Sequence, residues 1–178
     1  MVDCEFCDVV KGKEDAEIIF EDEKCTAVLH LKPAHPGHVL LFSKGHYPIM
    51  EQVPDYVVGH MFKIANKLST ALFESLNIQG TNIIVQNGVA AGQTIPHFVI
   101  HVIPRSEGDG LNFQWEPKQP GKEEVDKAII VIKEQTANIH PSGFQKEKRE
   151  IKIDRDAVRK IESTKEENYL IKQLRKIP

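Results

Sequence analysis

The stretch Gln93-Thr-Ile-Pro-His-Phe-Val-Ile-His-Val-Ile-Pro-Arg105 decides the fold. Successive side chains of a strand point to opposite faces. A strand over His97–Ile103 therefore puts His97, Val99 and His101 on one face, and Phe98, Ile100 and Val102 on the other. The second set is wholly apolar and must face a core, so a slip of one residue would expose it. Two imidazoles flanking a valine on the opposite face are costly if they serve only as satisfied polar groups at a sheet rim. They point to chemistry on that face.

Working outward, short β-rich runs precede this strand: Ile18–Phe20, Cys25–Leu29 and His38–Phe42, separated by EDEK and KPAHPG turns. A helix follows, with Pro54 in its first turn. Its apolar stripe is Val58, Met61, Ala65, Leu68, Leu72 and Leu76, and Asn77 and Gly80 suit its end. A further strand is expected over Asn82–Gln86, joined to the histidine strand by the small-residue loop NGVAAGQT. Strands wrapped on one long helix argue for an α+β fold, an antiparallel meander sheet packed against that helix. Beyond Arg105 the chain turns polar and turn-rich. A second helix is expected over Glu123–Ala137, then a linker and a charged helix over Asp154–Leu174 capped by Asp154, together a C-terminal helical extension.

A chain of 178 residues, 40% hydrophobic and 28% charged, suits one globular domain with an appendage. No apolar run is long enough to span a membrane, and MVDCEFCDVV does not read as a secretory signal. A cytoplasmic location is expected. The net charge of -3 makes nucleic acid an unlikely partner. Residues 145–178 carry 11 of the 23 Lys/Arg and 7 of the 26 Asp/Glu, a balance of +4 against -7 for the rest. The signs alternate there, as on a solvated helix face.

The three cysteines, Cys4, Cys7 and Cys25, do not read as a disulfide framework. Cys4-Glu-Phe-Cys7 has the spacing of half a tetrahedral zinc site; a redox pair and two free thiols are the other readings. Cys25 lies in a β run and reads as a small buried hydrophobe. His35, His60 and His140 are given no role.

Pro96-His-Phe-Val-Ile-His-Val-Ile-Pro-Arg105 resembles the signature of the histidine triad family, Pro-His-φ-His-φ-His-φ-φ-Pro-Arg with φ apolar. EFCDVVKGK, KPAHPGHVLLFSKGHY and VQNGVAAGQT resemble further segments of that family, the last in a form close to its dinucleoside polyphosphate hydrolases. The resemblance spans roughly residues 3–115. It implies a histidine-triad nucleotide-binding domain over 1–118 and an extension over 119–178, in a homodimer that takes an AMP-like nucleotide. It further implies cleavage at the α-phosphorus through a nucleotidyl-histidine formed on the middle histidine, which splits one hard displacement into two easier ones. Carried onto this sequence, His101 takes the third triad position near the phosphate and His38 the additional active-site position. Gln93 and Thr94 take positions that touch phosphate and leaving group, with Gln86 at the near end of the loop. Small residues in that loop let backbone N–H groups approach an anion. The resemblance also implies that His46 and His97 complete a closed, structural zinc site with Cys4 and Cys7.

Two positions depart from the pattern. The nucleophile position is Val99, which has no lone pair. The position that holds the ribose hydroxyls with Asp or Asn is His30, which cannot bind them in bidentate fashion. Loss of a nucleophile costs on the order of 10⁴–10⁶ in rate. The expectation is a zinc-containing nucleotide-binding protein with impaired catalysis. The alternatives are an active dinucleoside polyphosphate or phosphoramidate hydrolase altered at 99, and a non-enzymatic interaction module.

Overall fold

The computed structural model describes residues 4–137 and 139. The described residues divide after Trp115 into two units. The first opens with a short helix, α1 (Glu5–Val10), then strands β1 (Ile18–Glu21), β2 (Cys25–Leu29) and β3 (Val39–Ser43). The long helix α2 (Asp55–Leu76) leads to β4 (Gly80–Ile84) and β5 (Val99–Arg105). The second unit holds α3 (Lys122–Thr136), with Glu123 and Glu124 in its first turn and Lys133 in its last, each complementing the helix dipole. The charged helix expected over 154–174 and its linker lie outside the described residues. No helix among the described residues is long and apolar enough to cross a membrane.

All five strands pair antiparallel in one sheet of order β1-β2-β3-β5-β4. β1 to β3 form the meander. The chain then crosses by α2 to the far edge and returns, so the histidine strand β5 lies between β3 and β4, bonded on both sides. Phe42 faces Val99 and Leu40 faces His101 in the ladder. Those residues share one sheet face; Leu41, Ile100, Val39 and Val102 share the other.

The second face is the main core. Ala27, Val39, Leu41, Phe98, Ile100 and Val102 pack there against Val57, Met61, Ile64 and Ala65 of α2. The buried stripe of α2 is therefore centred slightly off the expected one. Val57 and Ile64 are in the core, while Leu76 is 46% exposed near the helix end. Asn77 ends α2 in the left-handed region at φ 52°, a conformation asparagine tolerates. A smaller cluster covers the first face: Val28, Leu40 and Phe42, with Phe6 and Val9 of α1 and Val99 against them. No periodic signal marks α1, which is only six residues long.

Four strands differ from expectation at their ends. β1 runs one residue further, to Glu21. β3 runs one residue later, over Val39–Ser43. β4 begins at Gly80, because the chain re-extends directly after Asn77, and Val85 leaves the ladder for the core. β5 begins at Val99 rather than His97. The N–H of His97 donates to the Ile95 carbonyl (2.8 Å), and that of Phe98 to the Tyr47 carbonyl (2.6 Å), so both leave the ladder with β3. Pro104 sits inside β5 beyond its last pairing with β3, at Val102, where its missing N–H costs no ladder bond on that side.

Candidate active site and metal centre

A cavity of about 390 Å³ opens on the first sheet face. Its floor is apolar: Val28, Leu40 and Val99 from the sheet, with Phe6 and Val9 of α1 beside them. Around this floor stand His30, Gln86, Gln93, Thr94, His97 and His101. The alternation thus brings His97, Val99 and His101 to one cavity, with Val99 between the two imidazoles. Glu14, Asp15 and Lys32 also line it; they lie in polar connections that carry no periodic signal, so the sequence did not mark them.

His38 lies just behind the cavity, 5% exposed. The turn before it needs Gly37, whose φ is +86° and whose absent Cβ would collide with Leu76 and approach Pro104. Nδ1 of His38 accepts the N–H of Ala34 (3.3 Å). Its Nε2 must then carry the proton and donate to Nδ1 of His101 (3.1 Å). The remaining ring donor of His101 is therefore Nε2–H. His30 packs against His38 with ring centroids 4.8 Å apart and planes tilted by 48°, and its Nδ1 accepts the N–H of Lys32 (3.0 Å). Burial, with the neighbouring His101 and His30, pushes His38 down to about 4. Burial also lowers His101 and His30. Near neutral pH the three rings form an uncharged array in which each proton position is set by a partner.

On the other side of Val99, the side chains of Cys4, Cys7, His46 and His97 converge, with all four donor atoms within 4.8 Å of one another. Sγ of Cys4 is 3.4 Å from Nδ1 of His97, and Sγ of Cys7 is 3.3 Å from Nδ1 of His46. A tetrahedral zinc with ordinary Zn–S and Zn–N bonds places such S and N atoms about 3.6 Å apart. The donor set and its spacing fit zinc. His97 is 1% exposed, and its Nε2–H donates to the Ser43 carbonyl (2.8 Å). That bond leaves Nδ1 free of a proton and aimed at the cysteines, as a ligating imidazole requires.

Cys25 is completely buried, and burial together with the nearby Asp22 pushes its thiol up to about 12, so it is inert. Asp22 accepts the N–H groups of Lys24 and Cys25, and its other oxygen pairs with Nε2 of His60 at 2.5 Å. His60 thus ties α2 to the β1–β2 turn, a contact between distant segments that no local pattern announces.

The HIT domain matches residues 11–108, more than half of the chain. The chain is 38% identical over 109 residues to the adenylylsulfatase HINT3 of Arabidopsis thaliana, covering 61% of this chain and 55% of that protein. It is also similar to a crystal structure of a zinc-bound histidine triad family protein from Mycobacterium smegmatis (32% identity, TM-score 0.60, 75% and 95% of the two chains). A histidine triad nucleotide-binding protein from Candida albicans matches at 26% identity and TM-score 0.69, over 78% and 100% of the two chains. The fold, the cavity and the matched segment agree, and the chain belongs to the HIT domain family.

Proposed function

We propose that this chain binds an AMP-like nucleotide in the cavity and has lost most or all of the family's double displacement. The observation that carries the reading is Val99, on the cavity floor between His97 and His101 where the attacking group is needed. An isopropyl group has no lone pair to give to phosphorus. The rest of the apparatus for an anion is in place. His101 offers Nε2–H to a phosphate oxygen, backed by His38 and the Ala34 N–H. Thr94 and Gln86 stand on the loop side. His30, through its own Nε2–H, takes the ribose side with one hydrogen bond in place of a bidentate carboxylate. The apolar floor suits a nucleobase or ribose edge.

Zinc in this reading is structural. Bound to Cys4, Cys7, His46 and His97 it would supply a fixed corner joining α1, the segment after β3 and the entry to β5. A homodimer, as the resemblance implies, belongs to the same reading. The adenylylsulfatase and the nucleotide-binding protein among its relatives support a nucleotide as the ligand class.

The test is calorimetric titration with AMP, followed by incubation with adenosine phosphoramidate and diadenosine polyphosphate. Saturable AMP binding without turnover is expected. Absence of any binding heat removes the nucleotide reading, and capture of a nucleotidyl-protein adduct on the unaltered chain removes the impairment.

A further inference from the structure

Gln93 stands on the cavity wall, yet its side-chain amide is engaged by backbone. Oε1 accepts the N–H of Gly88 (2.7 Å). Nε2 donates to the carbonyls of Pro48 (2.6 Å) and Ile95 (2.9 Å), with that of His97 at 3.3 Å sharing a hydrogen. The backbone N–H of Gln93 returns to the Gly88 carbonyl (3.2 Å), so this one residue closes the 88–93 loop from both directions. On the other shoulder of the loop, Asn87 accepts the N–H of Met50 (2.9 Å) and donates to Glu51 (2.7 Å). The loop therefore hangs from two segments. One starts at His46 and runs through Pro48 to Glu51; the other ends at His97. These histidines are the two imidazoles of the Cys/His cluster, and the Phe98–Tyr47 backbone bond laces their segments together.

We infer that Gln93 is a positioning residue that couples the metal centre to the cavity, so that zinc on His46 and His97 sets the conformation of the 86–93 loop and with it the affinity for the ligand. This rests on reading the cavity as a nucleotide site and the Cys/His cluster as a zinc site. Metal fixes the two histidines, and their segments then hold the Pro48, Ile95 and His97 carbonyls in register. Gln93 carries that register to Gly88. Without metal only the Phe98–Tyr47 bond and Gln93 itself join the two segments, and the Pro48 carbonyl is held less firmly against those of Ile95 and His97. Coupling between two sites is reciprocal, so the nucleotide must tighten zinc by the factor by which zinc tightens the nucleotide.

The experiment uses the full chain, zinc-loaded and chelator-stripped, with AMP titrated into each and amide hydrogen exchange followed at Gly88. Amides of Leu41 and Met61 report whether the sheet and α2 persist. In the wild type, stripping is expected to weaken AMP by about 5- to 150-fold, the range usual for coupled sites, and to speed exchange at Gly88 alone. Gln93→Leu, with zinc bound, should already exchange fast at Gly88, bind AMP weakly, and change less than about twofold on stripping. Gln93→Glu keeps an acceptor for Gly88 but sets a carboxylate oxygen against the three carbonyls; it should behave as Gln93→Leu does. Equal AMP affinity with and without zinc, a full zinc response surviving in either variant, or acceleration spread equally to Leu41 and Met61 would each overturn the coupling. If AMP fails to bind any form, the nucleotide reading falls, and the coupling stands or falls on exchange at Gly88.

Discussion

Replacing Val99 by histidine tests the proposed loss of the attacking group. Val99 is half-buried and packs on Val28, Leu40 and Phe42 while facing the cavity. Exchanging its isopropyl group for an imidazole gives up part of one apolar burial, about 1 kcal/mol, equivalent to a drop of about 2–4 °C in Tm for a chain of this size. The new ring enters from the cavity floor and opens onto space, so it need not displace core atoms. It stands two strand positions from His101, about 7 Å along the same face, beside the His38–His101 pair. If only the nucleophile is missing, the gain should approach the loss seen when such groups are removed, on the order of 10⁴–10⁶ in rate. A rise of at least about 10³-fold is the expected outcome, with the shortfall assigned to His30 on the ribose side. The assay is AMP release from adenosine phosphoramidate, with quenched samples weighed intact for a nucleotidyl adduct. A Val99→His protein that folds, binds AMP like its parent and gains less than about tenfold would show that the missing imidazole is not what limits the chemistry.

Four further outcomes are expected. The folded chain holds His38 at about 4, below the value of about 6.5 it takes unfolded, so the unfolded state binds the proton first. Stability is complete above about pH 6.5 and erodes toward pH 4, by about 2–3 kcal/mol from this ring; urea melts at both ends of that range should show it, and His38→Gln should flatten it. Purified without chelator, the chain should carry one equivalent of zinc, and Cys7→Ser should hold little and melt several degrees lower. Leu41→Ala removes a fully buried side chain and should cost about 3–4 kcal/mol in denaturant unfolding. Gly92→Ala forces a side chain onto φ +90° with its Cβ 2.8 Å from Nε2 of Gln86; about 1–3 kcal/mol of loop strain and weaker AMP binding should follow, read by melting and calorimetry.

Much of this was legible in the sequence because the signals are local or strictly periodic. The alternation from Phe98 to Val102 sorts two cores from one strand, and the structure keeps that assignment: Ile100 and Val102 against α2, Val99 and His101 on the cavity. The spacing of Cys4 and Cys7 is that of half a zinc site, and the structure brings His46 and His97 to them. The departures lie where partners are far apart in the chain. His97 leaves the ladder because its neighbour Phe98 bonds Tyr47. The stripe of α2 shifts to Val57 and Ile64 because the twisted sheet beneath sets which side of the helix is covered. The six residues of α1 had no detectable period, yet Phe6 builds part of the cavity wall.

The order of residues sets which side chains are available and the face on which each strand residue falls, because pleat and helix periods are properties of the backbone. What those side chains do to one another depends on how the elements pack. It took the crossover of α2 to seat the histidine strand mid-sheet, which let His38 reach His101 and Cys4 reach His97. It made Gln93, which lines the cavity, a clamp on three carbonyls as well. Hydrogen bonds and metal geometry depend on atoms meeting within a few tenths of an ångström, and no local pattern in a chain encodes that distance.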